Sequence, residues 1–143
     1  MTRDEAARLR DIKDSIVAIR GHLARPRDES AGYDVALLHD ALLYQFVVIG
    51  EAVKHLATET RASAPEIPWD DVAGLRDLIA HEYFRIEIDR VLEIVERDLP
   101  PLERTIDRLL EDPEVQRSQA LGEGVDVTNV AEAIEELEGP AHR

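Results

Sequence analysis

The chain has 143 residues, is 44% apolar and 34% charged, contains no cysteine, and carries a formal net charge of −14. That length and apolar content suit one domain with its own core, and exclude a disordered chain. The absence of cysteine excludes a disulfide framework, a thiolate zinc site and thiol catalysis.

No uninterrupted apolar run approaches the roughly 18 residues of a membrane span. The opening Met1-Thr2-Arg3-Asp4-Glu5 is too charged for a signal peptide. The expectation is a cytoplasmic protein with no membrane partner. The charge is unevenly spread: residues 1–110 hold 22 acids and 15 bases, whereas the last 33 residues hold 9 acids and 2 bases. Each part therefore carries the same excess of negative charge. It opposes any polyanion, because phosphate affinity comes largely from Lys and Arg displacing counterions. A nucleic-acid function requires a local site that overcomes this field.

Four helical segments are predicted, and nothing reads as a strand. From Arg3 to about Ala24, Leu9, Ile12, Ile16, Ile19 and Leu23 recur at helical spacing on one face. Pro26 to Gly32 reads as a loop. Asp34 is the expected N-cap of a second helix running to about Arg61, some 42 Å at ~1.5 Å per residue. Leu38, Leu42, Phe46, Ile49, Val53 and Leu56 form one stripe along it, and Leu37, Ala41, Tyr44, Val48 and Ala52 form an adjacent one. Two stripes fit either a wholly buried central helix or a homodimer packed across it.

After the loop Ser63 to Trp69, with its two prolines, Asp70 or Asp71 is expected to cap a short helix carrying Val72, Leu75, Leu78 and Ile79. The last long segment begins near Glu87. Pro100-Pro101 either kinks it or starts a new helix with Asp98 as cap and the prolines in the first turn. From Pro113 the chain turns acidic and glycine-punctuated. The expected division is a helical domain over 1–112 and an acidic tail over 113–143, with Thr128 to Leu137 as a short helix. The charges of the last segment, Glu93, Glu96, Arg97, Glu103 and Arg104, read as a solvated face.

The chemistry-bearing cluster is Arg76-Asp77-Leu78-Ile79-Ala80-His81-Glu82-Tyr83. On a helix, Asp77 and His81 share a face, so the carboxylate is placed to orient the imidazole. Arg76 and His81 lie about 140° apart at 100° per residue. They converge only through arginine's length, a frayed last turn or a second chain. Histidine supplies a base near neutral pH for a ribose 2′-OH, and arginine's fork matches phosphate oxygens. On residues alone, a salt-bridged solvated face is the commoner meaning of such a group. His22, His39, His55 and His142 do not fall at metal-ligand spacing, and no metal or cofactor is expected. Glu51 is expected to pair with His55, and Trp69 to anchor its loop.

Several runs together change that balance. Ile49-Gly50-Glu51-Ala52-Val53-Lys54, Pro65-Glu66-Ile67-Pro68-Trp69, Gly74-Leu75-Arg76-Asp77 through His81-Glu82-Tyr83-Phe84, and Asp98-Leu99-Pro100-Pro101-Leu102 resemble, in order and spacing, the HepT-like group of the HEPN superfamily. Its signature is Arg, four residues, His, one residue, Tyr, with a small polar residue often after the Arg. Arg76, Asp77, His81 and Tyr83 match it, and the resemblance covers roughly residues 6–110. Arg85 stands where the group often has glycine, and either adds a phosphate contact or alters the turn.

The resemblance implies an all-α, antiparallel, HEPN-like bundle of four to five helices, homodimeric, with two Arg–His motifs in one cleft. It implies a metal-independent endoribonuclease toxin of a toxin–antitoxin system (type II or VII), with Arg76 and His81 catalytic and Asp77 orienting. The implied partner is a nucleotidyltransferase antitoxin that transfers AMP to Tyr83, and the implied substrate is RNA. The alternative is a non-catalytic helical dimer that binds a nucleotidyltransferase or a nucleotide through the same motif.

Overall fold

The structure, a computed structural model, describes residues 3–25 and 35–111. Among them there are seven α-helices, one 3₁₀ turn and no strand. Helix α1 (Arg3–Ala24) has the predicted bounds, and its Leu9, Ile12, Ile16 and Ile19 are fully buried. Helix α2 (Val35–Lys54) is the central element. It packs along α1 on one side and against the helices of the second half of the chain on the other.

By length and average composition α2 is apolar enough to cross a membrane, although polar residues interrupt its apolar runs. Its apolarity has another use in this fold. Leu38, Leu42, Phe46, Ile49 and Val53 are all buried in the core cluster that α1 completes. The second predicted stripe is only partly covered: Leu37 is 60% and Tyr44 64% exposed, Ala41 and Val48 are half-buried, and Ala52 at its far end is buried.

The predicted run of this helix to Arg61 is corrected. Helix α2 stops at Lys54, and a separate α3 (Thr58–Ala62) follows an extended Ala57. The cause is a tertiary contact. Buried Glu5, on α1, accepts a hydrogen bond from the Ala57 backbone N–H at 2.7 Å and another from the Thr60 hydroxyl at 2.6 Å. The carboxylate thus satisfies a donor that a helix start leaves orphaned, and holds the chain in the break.

The third predicted segment is likewise two helices, α4 (Trp69–Ala73) and α5 (Leu75–Glu82), hinged at Gly74. Asp70 and Asp71 occupy the first turn of α4 rather than its cap, which is Pro68. A 3₁₀ turn (Tyr83–Arg85) closes α5. Helix α6 (Ile88–Arg97) and helix α7 (Leu99–Leu110) then follow, with Asp98 between them and both prolines in the opening turn of α7. Of the two readings of Pro100-Pro101, the new helix is the one formed. The all-α bundle is as expected, and the higher helix count comes from these three breaks.

Helix α7 lies along α1, and the contact corrects the assignment of Glu103 to a solvated face. Arg20 donates to both Glu103 carboxylate oxygens at 2.6 Å, and Lys13 lies 3.4 Å from the same carboxylate and 2.9 Å from Asp107. The Arg20 fork, then Lys13, holds the Glu103 carboxyl below its usual range. Glu93, Glu96, Arg97 and Arg104 are exposed as expected. Asp34, His142 and the segment from Pro113 lie outside the described residues, as does the division at 112.

Candidate functional site

The motif residues sit on α5 and the turn after it, and two local features hold that helix in place. Trp69 is buried, and its indole N–H donates to the carbonyls of Arg61 (3.0 Å) and Ala64 (2.9 Å). The ring anchors the proline loop to the bundle, as predicted. At Gly50 of α2 the α4–α5 junction comes close. A Cβ there would lie 3.1 Å from the Val72 carbonyl oxygen and 3.2 Å from the Arg76 backbone nitrogen. Glycine therefore sets the depth at which α5 seats on α2, and so the position of Arg76.

Arg76 is exposed and held by carboxylates. Its Nε lies 3.3 Å from Glu51 Oε2 on α2, and one terminal nitrogen lies 3.7 Å from Asp77. The Glu51 oxygen is buried and the contact lacks hydrogen-bond geometry, so the interaction is an ion pair. Glu51 also meets His55, at 3.5 Å, the expected pair one helical turn on. Asp77 reaches across to Lys54 of α2, 3.5 Å away. It makes no hydrogen bond to His81 in this structure. His81 is exposed in the last turn of α5, with no hydrogen bond or ion pair among the described residues.

Tyr83 donates its hydroxyl to Asp40 of α2. That bond raises the phenol above its ordinary value, because ionising it would place a second negative charge against the carboxylate. The Tyr83 ring meets Phe84 edge-on, with centroids 5.3 Å apart. Arg85 follows, highly exposed, with a distant contact to Glu82 at 3.9 Å.

The structure thus brings Arg76 together with Asp77, and both with α2, while His81 shares no hydrogen bond or ion pair with either. Asp40, Glu51 as the partner of Arg76, Lys54 and Phe84 are site residues that motif spacing does not single out. A signal for the first two exists. Asp40 and Glu51 are eleven residues apart, about three helical turns, so they lie on one face of α2 with Lys54 beside them. That face meets the motif.

Arginine and histidine at the surface of one short helix, one restrained and the other open, form a group able to bind a phosphate and move a proton. Comparison with known proteins points to a ribonuclease family. The family model described as ribonuclease HepT-like matches residues 8–109. A Methanocaldococcus jannaschii protein named as a gamma-glutamylcyclotransferase and putative RNase is 30% identical over 112 residues, 78% of this chain and 50% of that protein. A protein of Caldanaerobacter subterraneus named as a putative RNase is 35% identical over 75 residues, 52% of this chain and 67% of that one. The probable ribonuclease HepT of Thermococcus cleftensis is 32% identical over 69 residues, 48% of this chain and 63% of that one. The chain thus spans about half to two thirds of the length of these relatives. No solved structure matches it significantly. With a family model covering most of the described helices and the whole of the motif, this chain belongs to the HepT-like ribonuclease family.

Proposed function

We propose that this chain is a metal-independent endoribonuclease acting on cytoplasmic RNA, and the toxin of a toxin–antitoxin pair. The observation that carries the reading is the state of the two motif side chains. Arg76 is exposed and held from α2, and His81 is exposed and unengaged, on one helix within the family match.

In the proposed reaction His81 takes the proton from a ribose 2′-OH. The 2′-oxygen attacks the adjacent phosphorus, the bond to the 5′-oxygen breaks, and that oxygen takes a proton from solvent, to which His81 then releases its own. The products are a 2′,3′-cyclic phosphate and a 5′-hydroxyl. Arg76 meets the charge that builds on the phosphoryl oxygens. Its carboxylate partners do not forbid this. Exposed ion pairs are worth about 0–1 kcal/mol, whereas charge-assisted bonds to phosphate are stronger and bidentate. Glu51 and Asp77 then act as positioning residues, which gives Asp77 its role through Arg76.

A homodimer fits the partly covered stripe of α2, where Leu37 and Tyr44 face solvent. It also answers the roughly 140° between Arg76 and His81, since each protomer can lend a group to a shared cleft. A nucleotidyltransferase antitoxin is the proposed partner, and AMP on Tyr83 the proposed block. The added anion would compete with the substrate phosphate for Arg76.

The test is expression of the full chain with and without its motif. Growth arrest and RNA cleavage are expected from the wild type, with a loss of at least about 100-fold on His81→Ala or Arg76→Ala. A harmless wild type that cuts no RNA removes the enzyme reading and leaves the docking alternative. For the modification, incubation with a transferase encoded beside the chain and ATP should add the mass of AMP at Tyr83; label elsewhere rejects it.

A further inference from the structure

We infer that Phe84 is a stacking platform for an unpaired nucleobase beside the scissile phosphate, with Arg85 placed to meet the backbone next to it. The inference rests on the ribonuclease reading and adds to it the residue that selects a single-stranded substrate. Phe84 is 98% exposed, more than any other large hydrophobic side chain among the described residues. A phenylalanine in water forgoes the favourable transfer that burial supplies, so a base stacked on this ring would recover part of it.

The ring has a defined place in the chain. It lies in the 3₁₀ turn that closes α5, edge-on to Tyr83 at an interplanar angle of 85°. Tyr83 in turn is tied to α2 through Asp40. An aromatic face is therefore open to solvent three residues after His81. Single-stranded nucleic acids are bound by such rings because every base presents a π-face, whatever its identity. In-line attack by a 2′-oxygen also needs the nucleotide out of a regular stacked helix, and a ring that captures the base would favour that state.

The surroundings favour a base over an apolar protein anchor. Anchors of protein interfaces sit among contacts that exclude water. Phe84 instead stands in the chain between a tyrosine whose phenol is bound to a carboxylate and an arginine, Arg85, which is exposed and 3.9 Å from Glu82. Rings interleaved with cations suit nucleic acid.

The test uses the full chain and a short single-stranded 2′-O-methyl oligoribonucleotide carrying 2-aminopurine, which lacks the hydroxyl needed for cleavage. Binding by the wild type should quench the base. Phe84→Leu should weaken binding about tenfold and abolish the quenching, and Phe84→Trp should restore both. Phe84→Leu that binds and quenches like the wild type overturns the platform. So does a wild type that does not bind, or a variant that lowers the oligomeric mass in sedimentation while quenching persists, which assigns the ring to a protein interface. A wild type that binds with quenching yet cuts no natural RNA sinks the ribonuclease reading and leaves the platform standing.

Discussion

The Tyr83–Asp40 contact joins the motif to the helix beneath it, and it has a titration signature. The Asp40 carboxylate accepts the phenol proton, so the neutral phenol is the stabilised form and the folded-state pKa is raised. The sign follows. This contribution to stability is complete below the ordinary tyrosine value of about 10 and is lost as pH rises through the higher folded value. Of the chain's three tyrosines, one should ionise late in an alkaline absorbance titration. Asp40→Asn should move that step down toward the ordinary value, since the amide removes the negative charge. Superimposable titrations would mean the contact is absent in solution. The same bond bears on the proposed modification, because Asp40 is in place to receive the proton when the phenol oxygen gains AMP. Spacing along α2 puts Asp40 on one face with Glu51, but its reach to Tyr83 could not be read that way, since 43 residues separate the two. The motif residues were legible because their spacing is short-range; their partners on α2 come from the fold.

At the scale of elements, periodicity located the helical segments, and tertiary contacts decided where they end. The stripe from Leu38 to Leu56 is buried throughout, yet the helix carrying it breaks before its last member, because Glu5 caps the chain beyond from 52 residues away. Apolar pattern alone runs straight through such a break. The Gly50 crossing is similar: the Ile49-Gly50-Glu51 run was visible, but the reason for its glycine is the backbone of α4 and α5 against it. Gly50→Val gains a few tenths of a kcal/mol in helix propensity. Against that, overpacking at a backbone crossing costs about 1–3 kcal/mol. Overpacking outweighs propensity, so a net loss of about 1–2 kcal/mol is expected in denaturant unfolding. RNA cleavage should fall further than the unfolded fraction accounts for, because α5 carries Arg76. Gly21 provides the control: nothing lies within 4 Å of a Cβ there. Gly21→Ala should therefore be neutral or stabilise α1 by about 0.5–1 kcal/mol, with cleavage unchanged.

The whole molecule carries a net charge of −14, which opposes an RNA substrate at long range. At physiological ionic strength the Debye length is about 8 Å, so a bound phosphate responds mainly to the groups around it. That places the weight on how many cations and imidazoles one cleft can gather, and a single α5 presents Arg76 and His81 about 140° apart. The proposed dimer across the exposed Leu37 and Tyr44 stripe supplies a second set, and mixing inactive variants tests whether the sets are shared. Arg76→Ala and His81→Ala chains should each be inactive alone. If a site takes Arg76 from one protomer and His81 from its partner, unfolding and refolding the two together makes half the dimers mixed, each with one intact site. About a quarter of wild-type activity should then return. If both groups must come from one chain, no combination of these variants holds a complete site, and the mixture stays inactive. Tyr44→Asp in both chains should abolish the recovery by placing a charge in the shared face, with helical content retained because that side chain is 64% exposed in the protomer. Recovery that persists in the Tyr44→Asp background would move the dimer interface off this stripe of α2.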